Sequence, residues 1–343
     1  AFPGIPHELF VVHDWRGDTV KLGTIPEAFV SQLSQGRFAR PVDVEVNRRI
    51  VSEQYDHIFS IGQVVPHEVV GMANYNKNIL VGCGGPSMIN NSHALGAFYG
   101  MERMMGRDHS PVHALFDEAD RLFLQGLPLS FILTVTTTNT AGKVKVHSLG
   151  VGRAREVFSQ SIAVSQQKNI LFLEEGIQKA VVYLRPDEFK STWLGNKAIY
   201  RTRMAMADGG ELIILAPGVS KFGEDLKNDE LIRNYGYWGT EKIAKLTENE
   251  LELQQNLSVT AHLIHGSSEG RFKITYAPGG LSKEEVEKAG FNYLSIDEAI
   301  KSYDPSRLKP GYNQVNGEAV YFIHNPALGL WALRSQFPVP NDQ

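Results

Sequence analysis

Short apolar runs alternate with amphipathic stretches along this chain, a rhythm that belongs to α/β proteins. Runs at 9–13, 42–46 and 58–64 predict strands, the third giving way to a loop at Pro66 and His67. A fourth run, 79–81, predicts a strand ending in the glycine cluster Gly82, Gly84 and Gly85. Pro86 suits the first turn of a following helix, where its missing N–H would have no partner anyway. That helix carries Met88, His93, Leu95 and Phe98. A second helix at 112–124 leads into a strand at 131–137, and a third, at 153–167, ends the β-rich first part.

From Lys168 onward the pattern changes to that of an open parallel sheet covered by helices. The runs 180–184 and 212–216 are continuously apolar, as expected of strands buried on both faces. Ser282 and Glu285 form a capping box for a helix that Gly290 closes. The expected fold is therefore α/β and two-domain, with mixed or parallel sheets, flanking helices and a Rossmann-like second domain. We divide it into an incomplete cofactor-binding domain at 1–165 and a substrate-side domain at 166–325. A tail at 326–343 is expected to return toward the first.

Composition narrows the functional classes. The 343 residues have a hydrophobic fraction of 42% and a charged fraction of 21%, ordinary values for a globular protein. With 38 acidic against 34 basic residues, the net charge of −4 leaves no basic excess for nucleic acid. No lysine or arginine block suggests a membrane surface, and no apolar stretch is long enough to span a bilayer. Cys83 is the single cysteine, so an internal disulfide or a cysteine-built metal cluster is excluded, and a reducing, cytoplasmic location is expected.

The densest chemistry lies in 66–93, PHEVVGMANYNKNILVGCGGPSMINNSH. His67 follows a strand, where α/β proteins gather functional side chains. Lys77 precedes an apolar run, where partial burial would make its amine reactive. His93 lies on the helix after the glycine turn, whose free N–H groups could also hold an anion. Taken singly, each has a plain structural alternative: a hydrogen-bonded histidine or a solvated lysine. The glycines match neither the dinucleotide fingerprint nor the P-loop.

Taken together, His67, Lys77 ten residues on and His93 sixteen further resemble the core motif of the nickel-pincer lactate racemase family. HDWRGD at 13–18, SPVHALFDEA at 110–119 and LSFILTV at 129–135 resemble landmarks of the same family. The resemblance implies that Lys77 tethers a nickel-pincer nucleotide, a pyridinium mononucleotide that binds nickel through one carbon and two sulfurs. It implies that His93 is the protein's nickel ligand, consistent with the taste of square-planar Ni(II) for imidazole and sulfur. His67 matches one of two histidines that exchange the substrate's hydroxyl proton while the C2 hydride moves to the cofactor and back. Lys197, in STWLGNKAIYRTR at 191–203, resembles the lysine that grips the substrate carboxylate, and Trp238 an aromatic residue near the cofactor.

Three departures stand out. The second family histidine, with contacts to the cofactor's phosphate, would lie before Ala1, so an N-terminally shortened member is expected. NYNKN at 74–78 replaces a glycine-rich run, and Leu194 stands where a polar residue is expected. His13, His109, His113, His147 and the pair His262 and His265 read as structural.

The leading expectation is an isomerase: a racemase or epimerase at C2 of a 2-hydroxyacid, loaded by cofactor-synthesis enzymes. The alternatives are a non-catalytic cofactor-binding relative and a nicotinamide-dependent oxidoreductase, for which no G-x-G-x-x-G follows a strand.

Overall fold

The computed structural model describes residues 4–138 and 143–337. Its spine is a six-stranded sheet in the order Asn292–Tyr293, Lys273–Pro278, Met206–Ala216, Ile177–Tyr183, Glu318–Ile323 and Gly311–Val315. The first five strands run parallel, and the last pairs antiparallel as a hairpin edge. The continuously apolar runs fall where burial on both faces demands them. Ala180, Val182, Leu212 and Ile214 enter one core, while Val181, Ile213 and Leu215 enter the cluster on the other face.

The N-terminal part is built from smaller sheets. Ile58–Gln63 runs parallel to Leu129–Thr138, which pairs antiparallel with Val144–Gly152. Thr19–Ile25 pairs with Val42–Asn47, and Pro66–His67 with Gly71–Met72. Helix Arg155–Asn169 covers one face of the three-stranded sheet through Phe158 and Ile162. Hydrophobic contacts form one large cluster in each half. Helix Pro86–Tyr99 serves both, with Leu95 in the N-terminal cluster and Ala97 in the C-terminal one. Near the C-terminus, Leu330–Leu333 pairs with Ile170–Leu173, and the Arg107 guanidinium donates to the Gln336 carbonyl at 2.7 Å. Tail residues 338–343 lie outside the described residues.

Two expected strands are not formed. Residues 9–13 pair with no strand among the described residues, and the segment is a 3-10 turn at His7–Leu9 followed by extended chain with Val12 exposed. Residues 79–81 belong to a single π-helical turn, Asn78–Gly82, closed by the Cys83 N–H donating to the Asn78 carbonyl at 2.9 Å. A run of three apolar residues is too short for periodicity to distinguish the two. The other expected helices and strands form close to where they were read. Helices span Pro86–Tyr99, Pro111–Phe123 and Arg155–Asn169, and both capping-box bonds are made between Ser282 and Glu285. Among the described residues, no helix is long and apolar enough to cross a membrane.

Candidate active site

The histidine of the first short strand is held in place by the residues after it. Beyond Pro66–His67 the chain turns back through Gly71, whose φ of +91° and close approach to the Met104 carbonyl leave no room for a Cβ. Helix Pro111–Phe123 buttresses the return: Ser110 caps it and donates to the Val70 carbonyl at 2.8 Å. His113 Nε2 bonds the Met72 carbonyl at 2.9 Å, so this buried histidine has the structural role its sequence context suggests.

Lys77 is set by unusual backbone. Asn74 and Tyr75 both adopt left-handed φ values, +83° and +57°. Asn74 stabilises the bend by accepting from the Tyr75 N–H and the Asn78 amide. Tyr75 turns into the core, stacked on Phe158, and its hydroxyl donates to the Arg153 carbonyl at 2.7 Å. Asn76 donates to Asp117 at 3.0 Å. Asn74, Tyr75 and Asn76 therefore anchor the loop from behind, and Lys77 stands at the start of the π-helical turn. Such turns recur at functional sites because they displace one residue from regular helix geometry.

The glycine cluster works by close approach. A Cβ on Gly84 would strike the Leu80 carbonyl, and one on Gly85 the Glu45 carboxylate. Glu45 accepts from the Ser87 N–H at 2.9 Å, so a side chain of the protein fills the place suggested for an external anion. His13 locks the same turn, bonding the Gly84 carbonyl at 2.9 Å and Asn47 at 2.8 Å.

His93 Nδ1 donates to the Ile89 carbonyl one turn back, at 2.6 Å. That bond places the proton on Nδ1 and leaves the Nε2 lone pair free, the tautomer a metal ligand needs. Burial brings His93 down to about 4, with the Ile89 bond opposing and the Lys77 charge assisting. His67 has the opposite arrangement: its Nδ1 accepts from the Val69 N–H at 3.1 Å, so the neutral ring carries its proton on Nε2. Burial pushes His67 well below the usual imidazole range; Glu68 opposes this, and Lys77, Arg201 and His93 add to it. Burial likewise lowers the Lys77 ammonium, with Glu68 partly offsetting. The three motif residues thus lie within electrostatic reach of one another. Each is only partly covered yet strongly desolvated.

Sequence reasoning missed the charges around them. Burial pushes the Glu68 carboxyl up, but the charges around it, with Arg201 and Lys197 the permanent ones, bring it below its usual range. Arg201 donates to the Pro66 carbonyl at 2.6 Å and lies 3.7 Å from Glu68. Lys197 and Arg201 are four residues apart on helix Lys197–Thr202, so one helix face presents both cations to Glu68. Pro66 and Arg201 also wall a cavity of about 150 Å³ with Gln63, Thr136, Thr138 and Asn169. His262 and His265 come from helix Leu257–His265, which packs on the helix of His93. His262 is tied to Tyr200 and Tyr237 at 2.7 and 3.0 Å, a structural role. His265 is brought down to about 3 by burial, against the pull of Glu68, with Arg203 and His93 assisting. Its Nε2 has no hydrogen-bond partner among the described residues, nor have Glu68 Oε2 and Arg201 Nε. Glu68 could have been suspected from its place beside His67; only folding brings His265 toward His93.

Trp238 is not part of this cluster. It is 44% exposed, has the Lys242 ammonium 4.1 Å from its ring centroid, and lines a separate cavity with Ser267, Glu269 and Phe291. Among the described residues, no group of three or more His, Cys, Asp or Glu side chains could hold a metal ion. A metal here would have to take further donors from a bound group.

Residues 31–106, which include His67, Lys77 and His93, match the family described as the lactate racemase N-terminal domain. No curated protein matches the chain. Several solved structures share its fold, two of them as follows. One is a protein from Thermotoga maritima, 20% identical, with a TM-score of 0.77 over 94% of this chain and 77% of the other. The second is the lactate racemase apoprotein from Thermoanaerobacterium thermosaccharolyticum, 15% identical, with a TM-score of 0.63 over 94% of this chain and 70% of that one.

Proposed function

We propose that this chain, whose residues 31–106 match the lactate racemase N-terminal domain and whose fold is similar to that of a lactate racemase apoprotein, racemises or epimerises C2 of a 2-hydroxyacid. The residues fit a tethered nickel-pincer nucleotide. Lys77 offers a desolvated amine for the covalent link, and His93 offers a free Nε2 as the one protein ligand. The orphaned buried atoms Glu68 Oε2, Arg201 Nε and His265 Nε2 are polar groups that a bound group or water would satisfy. When bound, the cofactor supplies the acceptor for the C2 hydride. Lys197, at the start of its helix, holds the substrate carboxylate.

His67 exchanges the hydroxyl proton. Its low basicity keeps it neutral at pH 7, the form that accepts a proton. To accept on Nε2, it must release the Val69 N–H and carry its own proton on Nδ1. Glu68, ionised beside it, favours the charged ring that results. The same Val69 bond favours a second reading, in which the protein binds the cofactor without turnover, because the neutral ring then presents Nε2 as a donor only.

The observation that carries the proposal is the His93 tautomer, which leaves a single unprotonated ring nitrogen electrostatically coupled to a desolvated lysine. The test is co-expression with cofactor-synthesis enzymes, followed by intact mass, peptide mapping and metal analysis. An adduct on Lys77 with bound nickel, absent from Lys77→Ala, is the expected result. An unmodified Lys77 without nickel rules the proposal out. Chiral chromatography of 2-hydroxyacids then separates turnover from binding alone.

A further inference from the structure

Arg201 touches the residues on either side of His67. Its Nη1 donates to the Pro66 carbonyl at 2.6 Å, and its Nη2 lies 3.7 Å from Glu68 Oε2. The Pro66 carbonyl shares one rigid peptide plane with the His67 N–H, so this bond fixes the point from which the His67 backbone starts. The strand has little support of its own, being two residues long and paired among the described residues with Gly71–Met72. Arg201 comes from the other half of the chain, about one turn after Lys197 on helix Lys197–Thr202.

That helix is held from its opposite side as well. Arg203 follows in continued helical backbone, about 200° around the axis from Arg201. Its Nε donates at 2.9 Å to Glu102, in the turn after the helix of His93, and its Nη1 donates to the Ser267 carbonyl at 3.2 Å. Arg271 closes the junction, donating to the same Glu102 oxygen at 2.9 Å and to the Arg203 carbonyl at 3.1 Å. Arg201 and Arg203 are 8% and 4% exposed. A buried ion pair adds little net stability, because desolvation offsets the attraction. A planar guanidinium that reaches two neighbours of one histidine supplies geometry instead.

We propose that Arg201 is a positioning residue, carrying the place of the Lys197 helix, itself anchored by Arg203, across to the backbone of His67. The inference rests on the roles given above to Lys197, which grips the substrate carboxylate, and His67, which exchanges the hydroxyl proton. Both groups act at one small molecule, so the span between them has to be kept. A misplacement of about 1 Å costs up to about a hundredfold in rate.

Two variants test this. Arg201→Lys keeps the charge and loses the fork, while Glu68→Gln combined with Arg201→Met removes the buried pair together and serves if the lysine variant misfolds. Hydrogen exchange read by mass spectrometry needs no cofactor. Amides of residues 67–72 should exchange at least about tenfold faster in either variant, with strand Met206–Ala216 at the parent rate. In nickel-loaded Arg201→Lys, kcat per bound nickel should fall at least about tenfold while KM stays within about threefold. Parent-like exchange at 67–72 overturns the proposal, and so does exchange that rises equally in both regions, which makes Arg201 a general stabilising contact. An unchanged kcat per nickel overturns it too. Failure of the parent to acquire the Lys77 adduct falls on the function proposed above, and the exchange measurement then still decides whether Arg201 anchors the His67 backbone.

Discussion

The segment from His67 to His93 and the paired strands Ile177–Tyr183 and Met206–Ala216 hold their places in opposite ways. The strands are regular, apolar and locked by unbroken parallel register from Glu211 to Leu215. The segment is irregular, with two left-handed residues, a π-helical turn and glycines pressed against backbone. One region gets its geometry from repetition, the other from individual bonds such as Ser110 to Val70 and Tyr75 to Arg153. Regular structure is robust but presents side chains at fixed intervals. Irregular structure can bring a lysine and two histidines within electrostatic reach of one another, and it depends on each anchor that does so.

Substitutions should separate these two kinds of support. His93→Ala is expected to abolish nickel retention, at least about a hundredfold by metal analysis, while leaving the melting temperature nearly unchanged. Leu212→Ala, in the centre of the sheet, should do the reverse: a loss of about 2–5 kcal/mol in denaturant unfolding, with nickel still bound by the folded fraction. If the sheet substitution removed nickel from fully folded protein, the contrast would fail.

Acid should attack the anchors next. His113 is 2% exposed and is brought from 6.5 to about 4, chiefly by burial. The unfolded chain therefore takes up a proton before the folded one does. Stability is intact above 6.5 and falls as pH drops toward about 4, by roughly 3 kcal/mol for this histidine. In His113→Gln this part of the pH dependence should disappear. A wild-type stability that stayed flat from pH 7 to 4 would contradict the burial argument. Smaller still, Gly71→Ala should cost about 2 kcal/mol, since a Cβ at φ +91° would sit 2.8 Å from the Met104 carbonyl. The smallest effect expected is for Ser282→Ala, about 1 kcal/mol, because it removes only one capping bond outside the candidate site. Chemical denaturation resolves both.

Much of this was legible beforehand. The apolar runs of the central strands, Pro86 at a helix start and the Ser282 capping box are local signals, and each formed as read. The motif His67, Lys77 and His93 was legible as spacing, and it lies within the family match. The strand expected at 79–81 failed because three apolar residues serve a buried turn as well as a strand. The strand expected at 9–13 did not form because the segment pairs with no strand among the described residues, and strands are made by partners.

Periodicity, capping and turn chemistry act over a few residues, so the sequence by itself determined the α/β order, the sheet core and the motif that marks the candidate site. Contacts between distant parts of the chain were decided only on folding. Arg201 meets Glu68 across 133 positions, His265 faces the helix of His93 from far along the chain, and the tautomers of His67 and His93 follow from which backbone group each ring meets. A histidine's chemistry is set by its hydrogen-bond partners and its desolvation, and those exist only once the tertiary structure has brought them together.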